Sequence, residues 1–178
     1  MKLSPIAQKF ILHWGEMGTR WGINRTVAQV HALLYLSPKP LNAEDVVATL
    51  GVARSNVSTS LRELQGWGIV RVVHVMGDRR DHFESLTDVW ALLRAIIEQR
   101  KRREIDPTVA LLAECVAEAE KAGAGEAHLR ERLGSLHEFF TTATAWYDEV
   151  SRLPTAAVFQ VLRLGGKVRK LLGLANRT

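Results

Sequence analysis

The residues most able to do chemistry lie on one predicted helix, over residues 55–65. At about 100° per residue, Val57, Leu61 and Leu64 fall on one side of this helix, as expected for a face packed on a core. Hydroxyl, amide and guanidinium groups can bind phosphates and base edges without holding the helix away from them. The other side carries such groups, on Ser55, Asn56, Ser58, Thr59 and Arg62. This pattern indicates a surface that binds nucleic acid. The alternative is an ordinary core helix whose exposed side is polar but has no ligand.

A second group of cations follows in the segment 77–81, which reads GDRRD. This segment lies between a valine-rich predicted strand, 69–76, and a predicted returning strand, 82–86. We therefore predict a turn with Arg79 and Arg80 at the tip of a hairpin, where guanidinium groups could enter a minor groove. Asp78 and Asp81 could instead pair with these arginines in a solvated turn, each pair contributing at most about 1 kcal/mol.

The surrounding elements must position both groups. The hydrophobic spacing predicts helices over 5–14, fading across the next glycines, and over 24–36, followed by a short helix between Asn42 and Gly51. Asn42 is the predicted N-cap of this short helix, and Gly51 its left-handed terminal residue. Helix, helix, short turn, helix and hairpin over 24–87 is the order of a winged helix-turn-helix.

The rest of the chain is predicted to be helical, over 89–104, 107–122, 126–151 and 155–172. Pro107 either kinks one long helix or lies in the first turn of the next. We therefore predict a mainly α fold with a small β-hairpin wing and a helical region after it.

Several stretches resemble the MarR superfamily of bacterial winged-helix regulators. They are LGVARSNVS at 50–58, LREL at 61–64, GIV at 68–70 and GDRR at 77–80. The run RKRREIDP at 100–107, together with Trp67-Gly68, is similar to the GbsR-like branch, which is related to repressors of glycine betaine synthesis genes. The resemblance covers roughly residues 1–110.

The resemblance implies a homodimeric, DNA-binding transcriptional repressor whose N- and C-terminal helices build the dimer interface. The helix 55–65 would enter the major groove and the 77–81 wing the minor groove. The DNA contacts then predicted are Arg54, Ser55, Asn56, Ser58, Thr59, Arg62, Arg79 and Arg80. The predicted regions are a dimer-associated helix over 1–23, a DNA-binding domain over 24–87, and a helical dimerisation and effector region over 88–178.

The resemblance also suggests a pocket for a small-molecule effector, and aromatic cages bind quaternary ammonium groups through cation–π contacts. Plain core packing is the alternative for each of these aromatic residues. Those that could contribute to a cage are Trp14, Trp21, Trp67, Trp90, Trp146 and Tyr147.

Composition narrows the remaining classes of function. The net charge is +5, but residues 154–178 carry five cations and no acid, so the rest of the chain is neutral. That basic segment could pack on a partner subunit or lie on a membrane surface. One cysteine, Cys115, excludes an internal disulfide and a cysteine-rich zinc site. No apolar run reaches the roughly 18–20 residues of a membrane span, and Lys9, His13 and Glu16 interrupt any signal-peptide pattern, so we expect a soluble cytoplasmic protein.

No enzyme motif is present, so we predict neither catalysis nor a cofactor nor a bound metal. Two alternatives stay open. Winged helices also serve as protein-interaction modules that do not bind nucleic acid. A metal-responsive regulator is the second alternative, if His74 and His82 face each other across the hairpin.

Overall fold

The computed structural model describes residues 3–158 and residue 160. By backbone contacts the chain divides into two compact units, Met1–Gln99 and Arg100–Thr178. The first unit contains five helices and a three-stranded sheet. In chain order they are α1 (Pro5–Arg20), α2 (Arg25–Leu36), β1 (Leu41–Asn42), α3 (Ala43–Leu50), α4 (Arg54–Gly66), β2 (Val70–Val75), β3 (Asp78–Ser85) and α5 (Val89–Arg100).

The sheet is antiparallel, with β3 in the middle and β1 and β2 on either side. β1 consists of two residues, and Leu41 lies opposite Phe83 of β3. This strand was not predicted, because two residues carry no alternation of their own and form a strand only through their partner. The pairing fastens the segment before α3 to the base of the hairpin.

The predicted helix termini around α3 are confirmed. The Asn42 side chain accepts a hydrogen bond from the Asp45 amide at 2.9 Å, and the Asp45 carboxylate accepts one from the Asn42 amide at 3.4 Å. This reciprocal arrangement is a capping box. At the other end Gly51 adopts φ 66°, the left-handed conformation that glycine tolerates best.

The core of the first unit is formed mainly by α2, α4 and the sheet. Leu33, Leu64 and Ile69 are among its fully buried side chains. On α4, Val57 and Leu61 are also buried, which confirms the predicted inward face of this helix. α4 is therefore held from one side only, and its orientation is set by apolar packing.

α1 extends to Arg20, so the predicted end of the first helix near residue 14 is wrong. Gly15 and Gly18 are buried inside α1, where it packs against α2. A Cβ on Gly18 would lie 2.5 Å from the Ala28 Cβ, and one on Gly15 would lie 2.7 Å from Gln29 Cγ. These glycines permit close helix packing, and their tertiary role outweighs their low helix propensity.

The second unit is a helical hairpin. After a π-helical turn, Lys101–Ile105, come α6 (Asp106–Ala122), a 3₁₀ turn (Gly123–Glu126) and α7 (Ala127–Ser151). The Lys101 ammonium lies 3.1 Å from the Asp106 carboxylate and 3.6 Å from that of Asp148, which ties the start of α6 to the end of α7.

Pro107 lies in the first turn of α6, as one of the two alternatives predicted. The predicted helix 89–104 ends earlier, at Arg100, and gives way to the π-helical turn. Proline has no N–H to donate, and its ring clashes with the carbonyl oxygen four residues earlier in an α-helix. The wider π-helical turn before Pro107 relieves this clash. The predicted helix 155–172 and the basic segment 154–178 lie mostly outside the described residues.

Among the described residues, none of the helices is both long enough and apolar enough to span a bilayer.

Candidate nucleic-acid interface

The outward face of α4 carries the predicted polar residues. Ser58 is partly buried, and the others are exposed: Arg54, Ser55, Asn56, Thr59 and Arg62. Ser60 alone among the polar residues of this part of α4 turns inward and is buried. α4 follows Ala53, whose side chain cannot cap the helix, so the N-cap residue accepts no hydrogen bond from the first amides of α4. These amides carry partial positive charge and suit an anion such as a phosphate.

Arg62 lies along this face. Its Nε donates to the Ser58 carbonyl oxygen at 3.4 Å, and its Nη2 donates to Thr59 Oγ1 at 3.5 Å. Both distances are near the long limit for a hydrogen bond, so these contacts restrain the guanidinium only weakly. No ion pair to Arg62 is present in the described part of the chain, which leaves its charge available to a ligand.

Arg54 is engaged differently. Its Nη2 lies 2.8 Å from Oε1 of Glu44, in the first turn of α3. The two side chains are 72% and 45% exposed, so the pair lies on the surface. This ion pair connects the starts of the two helices of the helix-turn-helix.

The hairpin differs from the prediction. The connection consists of Met76 and Gly77, while residues 78–81 belong to β3, so the predicted turn over 77–81 is wrong. Gly77 has φ 84°, a left-handed conformation that glycine adopts without strain, and Val75 lies directly opposite Asp78. Arg79 and Arg80 therefore lie within a strand beside the tip, and Met76, fully exposed, occupies the tip.

Neighbouring residues of a strand point to opposite faces, so the two arginines of the wing diverge. Arg80 Nε donates to Asp78 Oδ1 at 2.9 Å, its Nη2 donates to Oδ2, and its amide donates to Oδ1 at 3.0 Å. These hydrogen bonds to Arg80 hold the pKa of the Asp78 carboxyl well below its usual range. Arg79 is exposed, and its side chain has no ion pair or hydrogen bond within the described residues.

His74 and His82 do not face each other. His82 lies opposite Val73, and His74 falls at an irregularity of the ladder with an exposed side chain. His82 is buried, with Nδ1 3.0 Å from the Arg80 carbonyl oxygen and Nε2 3.5 Å from the Asp78 carboxylate. No cluster of three or more metal-ligating side chains occurs in the part of the chain that is described.

The aromatic residues separate into different environments. Trp14 stacks on Phe10 at 5.4 Å between ring centroids and meets Trp21 edge-on at 5.6 Å. Trp67 packs on the core of the first unit, while Trp146 is exposed on α7 of the second. Of the tryptophans predicted to form a cage, Trp14 lines a cavity of about 120 Å³, together with Phe10, His31, Ala32, Tyr35, Val89 and Leu92.

His31 is the buried polar residue of this cavity. It is 4% exposed, and its Nε2 lies 3.3 Å from Ser85 Oγ. Burial lowers the pKa of His31 to about 4, so its ring is neutral at pH 7. Sequence reasoning missed His31, Phe10 and Tyr35, because only the packing of α1 against α2 brings them together.

The sheet, the hairpin and the outward face of α4 define a winged helix-turn-helix. Residues 21–81, which run from just before α2 into β3, match the model of the MarR family. A search among curated proteins gave no match.

Two crystal structures are similar at low identity. One, a transcriptional regulator, is 19% identical, with 82% of this chain and 99% of that chain covered and a TM-score of 0.48. The other, S. aureus MepR in a DNA-binding conformation, is also 19% identical, with 74% and 93% covered and a TM-score of 0.37.

Proposed function

We propose that this chain is a bacterial, cytoplasmic transcriptional repressor of the GbsR-like branch, which binds duplex DNA through α4 and the hairpin. The observation that carries the proposal is the two-sided character of α4. Val57, Leu61 and Leu64 fix the helix to the core, and the opposite face presents hydroxyl, amide and guanidinium groups to solvent. The MarR family match over residues 21–81 supports the same conclusion.

In this proposal α4 lies in the major groove. Asn56 and Thr59 contact base edges, and Ser55 and Ser58 contact phosphates beside them. Arg62, without an ion-pair partner in the described structure, binds a phosphate or a guanine edge. Arg79 enters the minor groove from β3. Arg80 stays paired with Asp78 and stabilises the conformation of the hairpin.

A salt titration tests this proposal. Fluorescence anisotropy with a random-sequence duplex should show binding that weakens steeply with KCl, with a log–log slope of about −0.9 for each phosphate neutralised. The alternative, a protein-interaction module, predicts no binding even at low salt. A metal-responsive regulator, the other alternative, predicts stoichiometric metal in the purified protein.

We further propose that the chain is a homodimer, with 24–87 as the DNA-binding domain and 1–23 and 88–178 contributing to the interface. The second unit supports this assignment with a row of exposed apolar side chains along α7. Phe139 and Trp146 are 64% and 65% exposed, and Leu129 and Leu136 lie on the same side of the helix. The row is centred near residues 136–139, so two α7 helices packed antiparallel about a two-fold axis would cover it.

Placing a charge in this row should separate the subunits. The double variant Phe139→Asp/Trp146→Asp is expected to shift the mass measured by light scattering from dimer to monomer, since each carboxylate would have to be buried unpaired. Thr141→Asp, an exposed polar position of α7, is the control and should stay dimeric. A double variant that remains dimeric would remove α7 from the interface.

The cavity beside Trp14 supports an effector proposal. Three aromatic rings, those of Phe10, Trp14 and Tyr35, line a volume of about 120 Å³, and the neutral ring of His31 does not repel a cation. We propose that it binds a compact quaternary ammonium group by cation–π contact. Tetramethylammonium should then quench tryptophan fluorescence saturably, and Trp14→Leu should abolish saturation. Equal quenching by NaCl would contradict the proposal.

A further inference from the structure

Two of the four arginines predicted to contact DNA are bound to carboxylates of their own chain. Arg54 pairs with Glu44 at 2.8 Å, and Arg80 is held by Asp78. Arg62 and Arg79 form no ion pair within the described residues. The interface therefore combines two free cations with two that are already paired, and of these Arg54 must leave its carboxylate before it can bind a phosphate.

Glu44 occupies a central position in this arrangement. It lies in the first turn of α3, where a negative charge is favoured by the helix dipole, and reaches across to the first residue of α4. The pKa of Arg80 is raised, chiefly by Asp78, with smaller contributions from Glu44 and Asp45. The contact of Glu44 within this arrangement is its ion pair with Arg54.

We propose that Glu44 is a specificity-determining residue that competes with DNA phosphates for the guanidinium of Arg54. This inference rests on the proposed function. On random-sequence DNA, α4 makes few base contacts, and Arg54 stays paired with Glu44. The carboxylate of Glu44 also repels the DNA phosphates. On a matching site the base contacts of α4 compensate for the exchange, and Arg54 moves to a phosphate. Glu44 therefore weakens sequence-independent binding, which is mainly electrostatic.

The test compares the wild type with Glu44→Gln on a random-sequence duplex over a range of KCl concentrations. Glutamine keeps the length and hydrogen-bonding capacity of the side chain but removes its charge. We expect Glu44→Gln to bind about three- to tenfold more tightly at low salt, with a log–log slope steeper by about 0.9 because Arg54 gains a phosphate contact. A role in folding alone would leave this slope unchanged.

Two further variants separate the local effect from net charge. Glu16→Gln makes the same charge change at an exposed position of α1 and should leave the slope unaltered. Glu44→Gln/Arg54→Gln should have the same slope as Arg54→Gln alone, since no guanidinium remains to be released. A wild-type slope for Glu44→Gln, or a steeper slope that persists without Arg54, would overturn the inference. Failure of the wild type to bind would instead refute the proposed function.

Discussion

Replacing both Arg62 and Arg79 with alanine is expected to lower the affinity for duplex DNA by about 60-fold at about 0.1 M salt. Each arginine that neutralises one backbone charge, on a phosphate or from within a groove, contributes a slope of about 0.9. At about 0.1 M salt this is a factor of about 8, and the two factors multiply. These two arginines are the ones without an ion pair in the described structure, so no carboxylate is left unpaired by their removal. Anisotropy titrations at several salt concentrations measure the loss, and the slope should fall by about 1.8.

The control removes two exposed cations that lie outside α4 and the hairpin. Arg20→Ala/Arg25→Ala changes the net charge equally, at the end of α1 and the start of α2. Its affinity and slope should stay near those of the wild type. If both double variants weaken binding equally, the loss of affinity reflects net charge alone. The proposal that α4 and the wing contact DNA would then be wrong.

Acid is expected to destabilise the protein through His31 by about 3 kcal/mol. The unfolded chain binds a proton at this histidine near pH 6.5, whereas burial keeps the ring neutral in the folded protein until about pH 4. The unfolded state therefore binds more protons between these values. The contribution of His31 to stability is complete above about pH 6.5, falls as the pH drops through this range, and levels off below about pH 4.

Urea unfolding at pH 7, 6, 5 and 4 measures this loss, with His31→Phe as the matched variant. Phenylalanine keeps a ring in the cavity but cannot take a proton, and Ser85 Oγ retains its bond to the Leu86 carbonyl oxygen at 3.1 Å. Because other groups titrate equally in both proteins, the difference between their unfolding free energies isolates His31. Parallel pH curves for the two proteins would show that His31 is not the acid-sensitive group.

The sequence predicted well those features that depend on local rules. The apolar spacing of Val57, Leu61 and Leu64 defines the buried side of α4 and hence its exposed side. The caps of α3 follow from the hydrogen-bonding chemistry of Asn42 and the backbone freedom of Gly51. These features require no knowledge of the rest of the fold.

Features that depend on packing were not predictable. Gly15 and Gly18 indicate the end of a helix by propensity, but they serve close contact with α2. The acidic and basic residues at 78–81 are typical of a turn. In the fold Met76 and Gly77 make the connection, and residues 78–81 belong to β3, which pairs with β2. The aromatic cavity forms from three helices and could not be assembled from sequence spacing.

The same distinction applies to the interface. The sequence predicts which side chains α4 exposes, but only coordinates show that Arg54 and Arg80 are held by acids while Arg62 and Arg79 are not. Charge counting treats the four arginines alike. Their partners divide them into two that are ready to bind and two that are already paired with a carboxylate of the chain.

The most direct test of the central claim is the mapping of amide chemical shifts in the isotope-labelled protein as a random-sequence duplex is added. We expect the largest shifts at Ser55, Thr59, Arg62 and Arg79, with little change in α1 and in α7. Shifts confined to the helices of the second unit, or a spectrum unchanged by DNA at low salt, would contradict it.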